Sequence, residues 1–486
     1  MKKQEKLLDA IGMIGDDLID GAKEPHFKKR TRRSMWISAV AACLALALCL
    51  GIAYRFMLTP PAATLPHDIF EGYALSVPEY PECSVFPSVE NYGGYTEKYY
   101  AQLSLWKAYH AGRKNSVHGL DTEALYSFVK KTASEFLKSG DGKNSVYSPI
   151  NVYVALAMSA ELAKGESRAQ ILSLLGADDI NGLRETSEAI WKNTYIDDNV
   201  SKVKLSSSVW LSDNAVFKKK TLDSLSKHYF ASSFTGECGS AEYDRIFRKW
   251  LETQVGEYCA DTSLGKDSLI TLVSALTFSA KWDSEFSLEA AKQTFNSPLG
   301  YTDCEFMTKK FMGDYYYSDR FAAVNIAFRD GYDIENSGNM LFILPDKGVS
   351  PEELLSDEAF YDMVFSNNCP NTHCEIVVTV PKFDVSDGGD ISENLRNIGV
   401  TDIFDPNRAD LSSVSGRNTF VGGFIQSSRV SIDKEGCSAA SLVTVPLYGA
   451  EAPTGNTAYF TADRPFIFVI RNDSGLPLYI GTVNEP

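Results

Sequence analysis

"DKEGCSAASLVTVPLYGAEAPTGNTAYFTADRPF" (Asp433–Phe466) reads unlike the rest of the chain. Small residues crowd its start, Pro and Gly break its tail, and no Lys or Arg falls between Glu435 and Asp463. From Cys437 to Ala450 there is no charge of either sign. Such a stretch can serve as a plain connector, or it can enter a β-sheet without burying a charge. Extended, it turns Cys437, Ala439, Ser441 and Val443 to one side, each small enough to enter a preformed gap. Ser438, Ala440, Leu442 and Thr444 then face the other side.

The surroundings of this stretch are strands. "TFVGGFIQSSRVSID" (Thr419–Asp433) precedes it, and "PFIFVIRN" (Pro465–Asn472) and "PLYIGTV" (Pro477–Val483) close the chain. β-Branched and aromatic content marks four earlier runs in the same way: "KVKLSSSVWLSD" from Lys202, "SLITLVSALTFSAKW" from Ser268, "NMLFILPD" from Asn339 and "CEIVVTVPKFDV" from Cys374. Helices come earlier. Leu125, Phe128, Val129, Ala133, Phe136 and Leu137 recur at helical spacing, with Asp121 as a cap. In "NSVYSPINVYVALAMSAELAKG" (Asn144–Gly165), Ser148 before Pro149 is an N-cap followed by a first-turn proline, and Gly165 can end the helix. Helices first and between, with strands dominating later, predict an α+β fold with large mixed sheets rather than a βαβ repeat.

The N-terminal part differs in character. The net charge of the 486 residues is -16, yet residues 1–58 carry 10 Lys+Arg against 6 Asp+Glu. The acidic remainder argues against a nucleic-acid partner. A basic run, "KEPHFKKRTRR" (Lys23–Arg33), precedes Met35–Tyr54, in which only Ser38 is markedly polar. Twenty such residues span about 30 Å as a helix, the thickness of a bilayer core. This predicts a signal anchor over 35–58, with the basic tail 1–34 in the cytoplasm and the rest outside, at the cell membrane. Residues 59–119, rich in Pro and Tyr, read as a stalk with a short helix near Glu97–His110, and 120–486 as the main domain.

Catalytic and metal motifs are missing. There is no GxSxG elbow, HExxH, Walker loop or GxGxxG, and the nine cysteines show no metal spacing. Cys369 and Cys374 flank a turn and can either bridge or stay free. His228 and His373 lie in polar surroundings and read as surface residues. No enzyme activity and no cofactor is expected.

Beside this reading, residues 121–486 resemble the serpins, through motifs that fall in the family's order. "NSVYSPINVYVALAMSAELAKG" is similar to the family's second helix. "LVSALTFSAKW" is similar to its central strand with the Lys-Trp pair. "VTVPKFDV", "VTDIFDPNRADLSSVSG", "FTADRPFIFVIRN" and "PLYIGTVNEP" match later signatures. The resemblance implies three β-sheets, eight or nine helices and an exposed reactive loop. It also implies a monomer that traps serine proteases by inserting the cleaved loop into the main sheet.

"DKEGCSAAS" then falls on the loop hinge: Glu435, Gly436, Cys437, Ser438, Ala439, Ala440 and Ser441. Family spacing puts the scissile bond at Ala450–Glu451, with Leu447, Tyr448 and Gly449 setting specificity. The missing Lys and Arg disfavour trypsin-like proteases, whose buried Asp would stay unpaired, and favour elastase-like or subtilisin-like targets. Ser148, Asn151, Ser274 and Gln426 fall on the cluster where the sheet opens. Ser274 stands where many relatives have Asn, and Gln426 where many have His. Cys437 replaces the usual Thr or Ser, and Pro446 lacks a ladder donor. The other reading on this scaffold is a surface binding protein without inhibitory activity.

Overall fold

All fourteen residues of the helix Pro149–Leu162 are buried. It is apolar all round, as a helix enclosed by protein must be. The computed structural model of the chain describes residues 67–115, 122–138, 142–255, 263–266, 268–288, 292–328, 338–416, 419–437 and 457–486. The Ser148 hydroxyl caps the helix by accepting from the Asn151 N–H at 3.3 Å, and Pro149 occupies the first turn. The helix ends earlier than its sequence suggests. Ala163 closes it by donating to the Ser159 carbonyl at 3.0 Å, and Gly165, with φ of 52°, opens the next helix instead.

A main sheet of eight strands lies over this helix. From one edge the order is Ala74–Ser76, Ala231–Gly236, Ser201–Ser212, Ile270–Lys281, Gly436–Cys437, Gly423–Ile432 and Phe383–Asp390, with Ile196–Asp197 beside Ser201–Ser212. A nine-stranded sheet runs from Thr457–Thr461 through Asn371–Pro381, Phe306–Tyr317, Phe321–Ala327, Asn339–Pro345, Phe466–Arg471 and Pro477–Val483 to Ser145–Tyr147, with Ser287–Leu288 paired at Phe306–Tyr317. The third sheet is the hairpin Gln293–Ser297 and Gly300–Cys304. The run "CEIVVTVPKFDV" divides at Lys382 between the two large sheets. Among the described residues from Thr122 onward there are nine α-helices.

Two apolar clusters lie on opposite faces of the main sheet. Leu272, Leu276, Ala280 and Cys437 join the large core that includes Pro149–Leu162. Trp210, Val273 and Ile425 join Phe247 and Trp250 of the helix Ala241–Val255. Alternation along each strand explains the split.

The segment read as a stalk folds onto the body over its described part, residues 67–115. Ala74–Ser76 pairs antiparallel with Ala231–Gly236 at the sheet edge. The helix there is longer than its sequence suggests, Glu97–Asn115. Tyr80 packs against Trp191 (5.2 Å between ring centroids), Tyr195 and Phe230. Burial pushes the Tyr80 hydroxyl up to about 12, against a hydrogen bond with Ser206. Tyr99 and Trp106 of this segment are buried packing residues, whereas Tyr95 and Tyr100 are exposed. The expected anchor, 35–58, and the tail, 1–34, lie outside the described residues. Among the described residues no helix is long and apolar enough to cross a membrane. Cys369 and Cys374 are both free thiols and both buried.

Candidate functional site

Where the strand Gly423–Ile432 turns toward the loop, the backbone is held from three directions. The Trp282 N–H donates to the Glu435 carbonyl at 3.0 Å, and its indole N–H to the Asp433 carbonyl at 2.8 Å. The Phe286 N–H donates to the Lys434 carbonyl at 2.9 Å. The Asp433 carboxylate accepts from the N–H groups of Glu435 (2.8 Å) and Gly436 (3.1 Å), closing a tight turn. Trp282 itself is fixed by stacking on Phe328 at 5.0 Å.

Gly436 and Cys437 lie inside the main sheet. They pair antiparallel with Lys281 and Ala280 on one side, and Cys437 pairs with Ile432 on the other. A Cβ at Gly436 would come within 2.4 Å of the Ala280 carbonyl oxygen, so only glycine fits this row. Cys437 is 2% exposed. Burial pushes its thiol far above the ordinary range, and the nearby Asp433 charge adds to this.

Further along, the flanking strands meet directly. Ile270–Lys281 and Gly423–Ile432 pair in parallel from Thr271–Gly423 to Ala275–Ser427. The two strands are therefore zipped at one end and separated by Gly436 and Cys437, the start of the expected hinge, at the other. The rows from Leu276 to Ser279 lie between, with no ladder to Gly423–Ile432. The hydroxyl of buried Tyr479 donates to the Leu276 carbonyl there. Tyr479 was legible only as part of a closing strand. A tyrosine in such a run reads as packing, so nothing in the sequence marks its place under the split.

The expected opening cluster lies at the closed end of the seam. The Ser274 hydroxyl donates to the Asn151 side-chain oxygen and stands 3.3 Å from the Ser207 hydroxyl. Asn151 thus supplies from the helix an amide where the strand carries Ser274, and its side-chain nitrogen is buried with no partner. Gln426 sits in the row beside Ser274 but donates to Ser428 at 3.4 Å. Ser148 is spent on the helix cap. The four residues share one region without forming the single polar network the resemblance implied, and Ser207 is the member the sequence did not reveal. Ser438, Ala439, Ala440, Ser441, Leu447, Tyr448, Gly449, Ala450 and Glu451 lie outside the described residues.

Neither histidine read as a surface residue forms a reactive group. His373 pairs with Asp314 at 2.8 Å on an exposed surface, and His228 with Glu188 at 3.4 Å. Among the described residues no His, Cys, Asp and Glu group could hold a metal.

Comparison with known proteins agrees with this geometry. A family model described as Serpin (serine protease inhibitor) matches residues 123–486. Human Serpin B3 is 25% identical over 75% of this chain and 99% of its own length. Human leukocyte elastase inhibitor is 26% identical over 71% of this chain and 93% of its own. The thermophilic serpin tengpin, in its native state, superposes with a TM-score of 0.67 at 22% identity, covering 75% of this chain and 93% of tengpin. Arabidopsis AtSerpin1, in its native stressed conformation, gives 0.64 at 22% identity, over 77% and 98% of the two chains. The family match spans every described strand except the edge strand Ala74–Ser76, the seam and Gly436–Cys437 included, and the chain belongs to the serpin family.

Proposed function

We propose that this protein is a single-use inhibitor of serine proteases. A protease attacks the loop and forms an acyl-enzyme. The freed loop end then inserts into the main sheet faster than water cleaves the ester. The protease, still attached, is carried along and distorted.

One observation carries this reading, the register at the seam. Continued residue by residue, the pairs Cys437–Ala280 and Cys437–Ile432 bring Leu442 to Ala275 on one flank and to Ser427 on the other. Those two residues already face each other in the zipped part. A strand entering from the hinge therefore fits both neighbours with no slip or bulge. Ala439 would lie between Phe278 and Val430, Ser441 between Leu276 and Ser428, and Val443 between Ser274 and Gln426. By alternation these side chains face the main core, as Cys437 does. Leu447 would reach Ile270, the first residue of its strand and the end farthest from the hinge, which agrees with cleavage a few residues later, at Ala450–Glu451.

Elastase-like or subtilisin-like proteases are the targets we favour. The uncharged loop supports this, and so does the similarity to an elastase inhibitor. The basic-then-apolar order of residues 23–54 supports a membrane anchor with the inhibitor outside the cell. The deciding experiment incubates residues 59–486 with a protease panel and runs a denaturing gel. A covalent complex that survives the detergent is expected with an elastase. Cleaved fragments alone would leave the binding-protein reading.

A further inference from the structure

Residues 67–115 precede the matched family region, so the match assigns them no role. Insertion requires Ile270–Lys281 and Gly423–Ile432 to part by one more strand spacing, about 4.8 Å. Ser201–Ser212 is ladder-bonded to Ile270–Lys281 and Ala231–Gly236 to Ser201–Ser212, so both must shift with it. The helix Glu97–Asn115 is bound to both sides of that movement.

On the shifting side, the Trp106 indole N–H donates to Asp198 Oδ2 at 2.9 Å, and His110 Nε2 lies 3.0 Å from the same oxygen. Asp198 Oδ1 accepts from the N–H groups of Val200 (3.0 Å) and Ser201 (2.8 Å). Ser201 starts its strand and pairs with Ala280, which pairs with Cys437. Asp198 therefore holds the end of the row that the hinge occupies. Burial opposes its ionisation, but the hydrogen bonds from His110, Ser201 and Val200 hold its carboxyl below the usual range.

On the other side, Arg113 donates to Asp473 and to the Asn193 carbonyl. Asp473 lies in the turn between Phe466–Arg471 and Pro477–Val483 of the nine-stranded sheet. Asn193 is tied to that turn by Asn472 (2.6 Å) and Ser474 (3.0 Å). Trp106 and Arg113 are two helical turns apart, about 10 Å along the axis. Trp106, Asp198 and Arg113 are all at least nine-tenths buried. A helix fixed at both ends cannot follow a shift of one strand spacing at one end alone, so one end must release before the sheet opens.

We infer that the helix Glu97–Asn115 is a brace across the line of sheet opening. Asp198 is its positioning residue, and the brace sets the rate at which the loop inserts. This rests on the insertion mechanism proposed above. Loosening the brace speeds insertion in the cleaved protein, which favours trapping over release. It also speeds spontaneous insertion in the uncleaved protein, which destroys activity on standing.

The test uses the full chain with Trp106→Phe, Asp473→Asn and the double variant. Trp106→Phe keeps the ring bulk and removes the N–H, and Asp473→Asn is nearly isosteric. The first readout is the conversion of uncleaved protein to a heat-resistant form during warm incubation, which needs no protease. The second is the ratio of covalent complex to cleaved inhibitor with an elastase-like protease. Each single variant should convert about tenfold faster, the equivalent of one charge-assisted hydrogen bond, and should shift the ratio toward complex. Because release of either end frees the helix, the double variant should convert no faster than the faster single variant. Unchanged conversion in both singles, a multiplicative effect in the double, or no conversion in any of the proteins would overturn the brace. Should Trp106→Phe fail to fold, Asp473→Asn alone decides by the same readouts. A wild type that forms no covalent complex strikes at the proposed function, while the conversion assay still decides the brace.

Discussion

Cys437 shows how little separates a hinge from an ordinary strand residue. It is small, it fills one row of the main sheet, and its neighbour Gly436 is the one residue that row admits without a clash. Ala439, two positions on, would enter the core-facing row between Phe278 and Val430 if the register of Cys437 continued on insertion. Ala439→Arg would bury an unpaired charge there, at a cost of about 3 kcal/mol or more. The variant should be cleaved as fast as wild type but should form no covalent complex on a denaturing gel; equal complex formation would end the insertion mechanism. Lys204 is a second informative residue. Its ammonium lies over the Tyr80 ring at 5.1 Å, and burial, with Lys202 nearby, lowers it from 10.5 to about 8. The unfolded chain binds this proton more tightly than the folded one, so the penalty is full below about pH 8 and fades as pH rises toward 10.5. Lys204→Met should therefore stabilise the protein at pH 7, by up to about 3 kcal/mol, and by much less at pH 10. Thermal melts at the two pH values check this.

Among the elements, the loop would decide which protease is caught under the proposed function. Its lack of Lys and Arg leaves nothing to pair with the buried Asp of a trypsin-like pocket, a defect worth about 10⁴-fold or more in selectivity where a site is built for such a partner. An elastase should be trapped far faster than trypsin, and mass spectrometry of the released fragment should place the cut within residues 447–454. Trapping of trypsin with a cut elsewhere would refute this specificity. On insertion the seam register would bring Pro446 between Thr271 and Gly423, where it would leave an N–H missing from the ladder. Pro446→Ala should restore one ladder bond, worth about 1 kcal/mol, and raise the share of trapped over cleaved product in the gel assay.

For the whole molecule, insertion adds a central strand to a sheet that now holds only its first two residues, Gly436 and Cys437. About ten new ladder bonds should raise the melting temperature of the loop-cleaved protein by more than about 10 °C over the intact form. A calorimetric scan before and after cleavage at the loop measures this, and equal melting temperatures would mean that the loop does not enter. Much of the architecture was legible beforehand. β-Branched runs marked the strands Ser201–Ser212, Ile270–Lys281, Gly423–Ile432 and Pro477–Val483, and Ser148-Pro149 marked the start of the buried helix. Periodicity, caps and turn residues act within a few positions, so a linear reading finds them. Family order then assigned the expected hinge and seam residues, of which Ser438–Ser441 lie outside the described residues. Other features depended on partners far away in sequence. Gln426 turned to Ser428 rather than to the cluster, and Tyr479 came to lie under the split. The Pro-rich segment packed on the body because Asp198 and Asp473 receive Trp106 and Arg113 from 92 and 360 residues away. The sequence by itself determined most of the elements, the fold class and the uncharged stretch Cys437–Ala450, because these follow from local pattern and composition. Only the tertiary structure decided that Gly436 and Cys437 lie between Ile270–Lys281 and Gly423–Ile432 and that one helix, Glu97–Asn115, joins Asp198 to Asp473, because contacts between distant residues are set by packing and register, which no local pattern encodes.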